Sequence, residues 1–201
     1  DVVYGWKPRS AMTGALAAFV LLPAPMVLAA PALALAGVSL ADDWRGLPIA
    51  VRFLAHALAA AVFVALALGT LPWWMQIVLT LTVMWMTNLY NFMDGSDGLA
   101  GGMTVFGFGF LGLAAYLADD ATIALTGFCV ACAALAFLVY NFHPARIFMG
   151  DAGSIPLGFM AAALGLLGWQ RDLWPLWYPA AVFSPFIVDA SITLAKRFLR
   201  G

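Results

Sequence analysis

The 201-residue chain is 65% hydrophobic and 9% charged, with a formal net charge of -1 and a mean hydropathy of +0.98. This balance excludes an ordinary soluble domain and indicates a polytopic membrane protein, while the near-zero charge excludes a basic surface for nucleic acid. Every acidic residue is Asp, and a carboxylate at mid-bilayer costs roughly 2.5–3.5 kcal/mol, so these residues are expected at helix ends or in a wet cavity.

Asp1 to Ser10 lack both an initiator Met and a cleavable signal pattern, so the chain is expected to be a piece of a longer one. From Ala11 to Leu40 the apolar run is interrupted by Pro23, Pro25 and Pro31, and its length suits one kinked span or two short helices. Further spans are predicted at Val51 to Thr70, Trp73 to Leu89, Gly102 to Ala118, Thr122 to Tyr140, Ser154 to Trp169 and Trp174 to Lys196, each bounded by Gly, Pro, Asp or Asn. Cys129 and Cys132 fall inside one of these runs and read as small packing residues rather than a metal or redox pair. The expected fold class is therefore all-α: a polytopic integral membrane protein of about seven to eight transmembrane helices, forming one domain over 1–201.

Counting crossings from Asp42 puts the loops at 42–50, 88–101, 141–153 and 196–201 on one side. That side carries Arg45, Arg52, Arg146, Lys196, Arg197 and Arg200, against Arg171 alone on the other. The positive-inside rule makes the first side cytoplasmic. Trp73, Trp74, Trp169, Trp174 and Trp177 are expected to form an aromatic belt at the opposite interface.

Three polar islands share the cytoplasmic side. Asp42 and Asp43 close the first apolar region; successive helix residues diverge by about 100°, so at most one of the two points into a common site. Otherwise they are a solvated helix end with local ion pairs. The second island runs from Asn88 to Gly101. Asn88, Asn91 and Asp94 recur every third residue on one helix face, Asp94-Gly95 reads as a turn, and Asp97 is placed to cap the helix that starts near Gly98. Capping explains each residue singly, but not the gathering of so many ligating oxygens.

The third island runs from Asn141 to Ser154. Ile147-Phe148-Met149 is expected to dip toward the interior and deliver Asp151 to a buried edge. Asp151 reads either as a ligand or as a first-turn partner of the helix dipole, and Ser154 equally as an N-cap. His56 reads as a packing residue more readily than as a ligand. Together the islands form a hard-oxygen set suited to Mg²⁺ rather than Zn²⁺, with Arg52 and Arg146 adding positive charge, as chemistry on a pyrophosphate donor at a lipid boundary requires.

Asn88-x-x-Asn91-Phe92-Met93-Asp94-Gly95-x-Asp97-Gly98-Leu99-Ala100, Phe148-Met149-Gly150-Asp151-Ala152-Gly153-Ser154 and Asp42-Asp43 resemble the polyprenyl-phosphate N-acetylhexosamine-1-phosphate transferases. That family includes the undecaprenyl-phosphate GlcNAc-1-phosphate transferases and the phospho-muramoyl-pentapeptide translocases. The resemblance covers Leu40 to about Lys196. It implies a polyprenyl (undecaprenyl) phosphate attacking the β-phosphate of a UDP-N-acetylhexosamine, with UMP released, Mg²⁺ as cofactor and Mn²⁺ as its substitute. The product would start a cell-envelope glycan, an O-antigen or another surface polysaccharide, at the cytoplasmic face of a bacterial inner membrane. A homodimer stays open.

Carried over by residue, the resemblance assigns Asn91 and Asp151 to metal and diphosphate binding. It assigns Asp94 and Asp97 to nucleotide-sugar binding and catalysis, Asp42 and Asp43 to the lipid phosphate, and Arg52 to a basic position beside that phosphate. Asn88, Arg146, Gly150 and Ser154 complete the expected substrate-binding set with Arg52. Ser184 to Ala190 resembles the GlcNAc branch, with Asp189 near the site. The family's Pro-Arg-Gly-Gly type segment and His-rich cytoplasmic loop do not appear, and His56 stands where Gln is common.

A proton-coupled carrier would instead place carboxylates mid-span among inverted repeats, and neither is visible here. An intramembrane aspartyl protease needs two facing Asp residues within spans. The CDP-alcohol phosphotransferases use another aspartate array. A non-catalytic lipid-binding remnant is the remaining alternative.

Overall fold

A computed structural model describes residues 24–200. Among the described residues all regular structure is helical: α1 (Met26–Arg45), α2 (Ile49–Leu68), α3 (Trp73–Met93), α4 (Leu99–Leu117), α5 (Ala121–Asn141), α6 (Asp151–Gln170), α7 (Trp177–Val182) and α8 (Ser184–Arg200). Five of these, α1, α2, α4, α5 and α6, are long and apolar enough to cross a membrane. At 1.5 Å per residue, their 19 to 21 residues match a hydrocarbon thickness of roughly 30 Å. α3 is as long, and Gln76, Thr80, Asn88 and Asn91 lower its hydropathy.

Proline sets where the first three helices begin. Pro25, Pro48 and Pro72 stand at the N-cap positions in extended conformation, ψ 133°, 142° and 143°, and a residue without an N–H that clashes with the preceding turn prevents backward extension. The ambiguous stretch before Leu40 resolves from Met26 onward into one helix with Pro31 inside it; residues 11–23 of that stretch lie outside the described residues. This helix continues past Leu40 to Arg45, so Asp42 and Asp43 lie in its last turn rather than beyond it.

α6 is the central element, flanked by α1 and α3 and touching α2, α4 and α7. It is apolar all round and buried along most of its length, as a helix without a lipid or water face must be. Gly158 is what lets α3 approach: a Cβ there would meet Met86 O and Thr87 Cα at 2.8 Å. Such small-residue contacts are how membrane helices gain packing without a hydrophobic driving force between them. α4 and α5 form an antiparallel pair beside this core. Phe63 meets Phe159 edge-on at 5.8 Å, Tyr90 meets Phe186 at 4.9 Å, and the Tyr90 hydroxyl is 2.7 Å from Thr104 Oγ1. Leu54, Leu58, Val62 and Leu66 on α2, with Phe106, Phe110 and Leu117 on α4, are exposed apolar side chains, the surface that lipid covers in a multi-pass membrane protein.

Two expectations are corrected. The span predicted from Trp174 to Lys196 is not continuous: it breaks between Val182 and Ser184, and α8 restarts with Pro185 as its second residue. Proline fits a first helical turn, where its missing N–H would be unsatisfied anyway, and not a helix interior. The aromatic belt is also smaller than expected. Trp73, Trp74 and Trp177 are exposed, but Trp174 is only 6% exposed and donates its indole N–H to Gly165 O at 2.9 Å.

Candidate active site

The chain order of the helices brings the C-terminal turn of α1, the start of α2, the end of α3 and the start of α6 to one end of the bundle. Asp42 leaves the last turn of α1, accepts the Leu47 N–H at 2.6 Å and pairs with Arg52 Nη1 at 2.8 Å. The same Arg52 nitrogen lies 3.3 Å from Asp151 Oδ2. From the other side, Asn91 Nδ2 donates to Asp151 Oδ1 at 2.8 Å and to Ser154 Oγ at 3.1 Å. Asp151 is thus held between α2 and α3 while its side chain stays 34% exposed. Asp43, next to Asp42, is exposed.

The turn after α3 and the loop before α6 are stitched together. Asn141, buried at the end of α5, accepts the Gly98 N–H at 3.1 Å and donates to Ile147 O at 2.8 Å. Asp97 accepts the Ala145 N–H at 3.1 Å and lies 2.9 Å from His143 Nδ1. Asp94 Oδ2 accepts the Gly150 N–H at 2.9 Å. Gly150 itself sits at φ 65° and opens α6, a left-handed backbone position that glycine takes without a Cβ clash. Met149 is buried beneath this loop as expected, whereas Phe148 remains exposed.

These contacts revise several local readings. Asp97 does not cap α4: Gly98 is the N-cap residue and makes no side-chain cap. The Asp97 carboxylate ties down the 143–145 segment instead. Ser154 is likewise no N-cap; it lies one turn inside α6, donating Oγ–H to Gly150 O at 2.9 Å. Arg146 is exposed, and its side chain makes no ion pair among the described residues, so it is not brought against the carboxylates. Asn88 is present on α3 but donates to the backbone O of Met84, one turn back on the same helix, at 2.7 Å. Asp189 lies on α8 and is exposed. Cys129 and Cys132 are free thiols on α5, and neither joins a metal-binding cluster among the described residues.

Three participants went unassigned in the sequence. Asn141 is legible only in retrospect, as an amide closing an apolar run. His143 shows nothing locally of its pairing with Asp97, 46 residues away. His56 reads as packing, yet its buried Nδ1 has no hydrogen-bond partner, and that depends on which neighbours α3 supplies.

The electrostatics separate the carboxylates. Asp94 is 8% exposed, and burial pushes it up to about 6, with Asp151 adding to the rise and the Gly150 and Met149 N–H groups opposing it. Its Oδ1 is buried without a hydrogen-bond partner. Asp97 moves the other way, held below the ordinary carboxylate value by the Ala145 N–H and by His143. Among the described residues no three His, Cys, Asp or Glu side chains gather closely enough to hold a metal by themselves.

Comparison with known proteins identifies relatives of one family. A protein named probable undecaprenyl-phosphate N-acetylglucosaminyl 1-phosphate transferase, from Bacillus subtilis, is 38% identical over 124 residues, covering 59% of this chain and 35% of its own length. A phospho-N-acetylmuramoyl-pentapeptide-transferase from a Synechococcus species is 40% identical over 139 residues, 69% of this chain and 36% of its own. Another of that name, from Symbiobacterium thermophilum, is 49% identical over 92 residues, 45% of this chain and 28% of its own. The chain spans about a third of the length of such relatives. The sequence model for glycosyl transferase family 4 matches residues 25–168, the stretch from the start of α1 to near the end of α6 that carries Asp42, Arg52, Asn91, Asp94 and Asp151. This chain belongs to glycosyl transferase family 4.

Proposed function

We propose that this chain forms the membrane core of a transferase that moves an N-acetylhexosamine 1-phosphate from its UDP-linked donor to a polyprenyl phosphate. An oxygen of the lipid phosphate attacks the β-phosphorus of the donor; the new P–O–P bond forms as the bond to the α-phosphate breaks, and UMP leaves. The observation that carries this reading is Asp151, held between Arg52 and Asn91 at the same bundle end as Asp42 and Asp94. It is supported by family membership and by the names of the relatives.

In this reading Arg52 meets the lipid phosphate, with Asp42 fixing its guanidinium. Asp43 stands beside it at the membrane surface. Asn91 and Ser154 orient Asp151, and Asp97 secures the loop that shapes the nucleotide-sugar pocket. Gly150 presents its backbone there, and Arg146, exposed on that loop, meets the donor phosphates. Asn88 supports the inner wall.

The residues fit Mg²⁺, with Mn²⁺ as its substitute. Magnesium is commonly held by one or two carboxylates together with substrate phosphates rather than by an all-protein cage, and the oxygen-only donor set and the unpartnered, buried Asp94 Oδ1 suit that mode. Asp151 and Asn91 would hold it, with Asp94 alongside. Bound there, the metal would offset the charge developing on the diphosphate.

The excess of Arg and Lys at the site end supports a cytoplasmic orientation in a bacterial inner membrane. The proposed role is initiation of an O-antigen or another cell-envelope glycan. The test is UMP release by the purified protein in detergent, with undecaprenyl phosphate and Mg²⁺, from UDP-GlcNAc and, in parallel, from UDP-MurNAc-pentapeptide. Release that needs lipid and metal and collapses in Asp151→Asn is the expected result, and the two donors decide the branch. A folded protein that releases nothing with any UDP-N-acetylhexosamine would return the reading to a carrier or a lipid-binding remnant.

A further inference from the structure

The polar groups of the site continue one helical turn into the bundle. His56 follows Arg52 by four residues on α2, and Asn88 precedes Asn91 by three on α3, so each lies on the same helix face as the site residue next to it. The two helices therefore present two tiers. In the outer tier Arg52 and Asn91 hold Asp151 from opposite sides. In the inner tier lie Asn88 and the buried His56 imidazole, each about one turn in from its outer-tier neighbour.

His56 is 7% exposed, and its Nδ1 is buried without a hydrogen-bond partner. An unpaired buried polar atom is destabilising, a cost that a leucine in this apolar helix would not incur. Asn88 gives its Nδ2 to Met84 O and forms no hydrogen bond with Nδ1. Nor does the remainder of α2 contribute a partner: from Ala57 to Leu68 it is apolar throughout. The open valence lies one helical turn below a polar site whose outer tier is built from one guanidinium and one carboxylate, the arrangement that accepts a phosphate together with a cation.

We propose that His56 is a substrate-binding residue, its Nδ1–H donating to one phosphoryl oxygen of a ligand held over Arg52 and Asp151. The proposal rests on the transferase reading and deepens it. Arg52 supplies the charge, and His56 supplies a directional contact from below. The same chemistry describes the lipid phosphate and the donor diphosphate, so the experiment has an arm for each.

The protein, labelled with ¹⁵N-histidine and held in detergent with Mg²⁺, is titrated separately with undecaprenyl phosphate and with UDP-GlcNAc. The His56 signals are assigned by their loss in His56→Gln. A shift of the Nδ1 resonance with undecaprenyl phosphate supports the contact and assigns it to the lipid phosphate; a shift with UDP-GlcNAc assigns it to the diphosphate. In kinetics, His56→Leu raises KM for that same ligand by about tenfold or more, the factor one hydrogen bond to a charged group is worth. His56→Gln, whose amide donates from a similar position, recovers most of it. If Nδ1 does not move with either ligand, the proposal is overturned. It is also overturned if His56→Leu folds and keeps both KM values within about twofold while the wild type transfers. Should His56→Leu not fold, the wild-type titration decides. Absence of UMP release by the wild type counts against the transferase reading, while the binding arm judges the histidine independently.

Discussion

The two ends of this bundle handle their charges in opposite ways. At the end away from the site, Asp120 caps α5 by accepting the Ile123 N–H at 2.9 Å and pairs with Arg171 at 2.8 Å. Burial works against its ionisation, but those two contacts outweigh it and hold Asp120 below the ordinary carboxylate value. At the site end Arg52 is shared between two carboxylates, Asp94 is pushed upward, and two buried polar atoms, Asp94 Oδ1 and His56 Nδ1, have no partner. One end pairs Asp120 with Arg171; the other leaves two buried polar atoms without a hydrogen-bond partner. Natural folds leave buried polar groups unpaired rarely, and chiefly where a ligand, ion or water completes them.

The largest expected effect comes from removing the cation at the open end. Arg52→Met should lower UMP release by on the order of 10²-fold or more, the scale of losing one preorganised charge contact in a transition state, while the purified protein keeps its elution profile in detergent. Near-normal release would mean that the charge serves folding alone.

The pH response should differ in sign between the ends. Asp94 holds its proton more tightly folded than unfolded, so its contribution to stability is full below its unfolded value of 3.8 and is lost as pH rises through about 6. That is roughly 3 kcal/mol at the conversion of 1.36 kcal/mol per pKa unit. Activity that needs the Asp94 carboxylate should rise over the same window. Unfolding in detergent, followed from pH 4 to pH 7 for the wild type and Asp94→Asn, checks this; an identical slope in the two proteins would refute it. Asp120 behaves conversely, adding stability above its unfolded value that is lost as pH falls through its lower folded value.

A smaller effect separates scaffold from site. Gly158→Val forces a side chain against Met86 O and Thr87 Cα and should destabilise by about 1–3 kcal/mol, as overpacking does. Displacement of Asn91 from Asp151 should follow, visible as a higher KM at temperatures where the protein remains folded. The smallest effect is at the closed end: Asp120→Ala should cost about 1–2 kcal/mol, the worth of an N-cap with a partly exposed ion pair, and leave UMP release per folded molecule unchanged. A large loss of catalysis there would end the contrast between the two ends.

The co-location of the polar islands was legible because it follows from counting apolar runs. Gly, Pro, Asp and Asn mark the ends of those runs, and antiparallel crossings return alternate loops to one side. The finer roles were not legible. Asp97 looked like a cap, since Asp commonly precedes a helix, and its engagement with His143 and Ala145 depends on a loop 46 to 48 residues away. Trp174 looked interfacial until Gly168 made room for its ring against α6. The final span looked continuous because periodicity cannot register that the chain turns between Val182 and Ser184, with Phe183 packed against Tyr90 and Phe108.

The sequence by itself determined the class of protein, the approximate bounds of the helices between Ile49 and Gln170, the clustering of oxygen ligands at one end, and the family. Those properties rest on transfer free energies and on backbone preferences local to each residue. Tertiary structure alone decided which of Asp42 and Asp43 lies against Arg52, that Asp94 and not Asp97 is the buried carboxylate, and that His56 is left with an open nitrogen. Each of these depends on burial and hydrogen-bond partners contributed by another helix, and no local pattern encodes the neighbour.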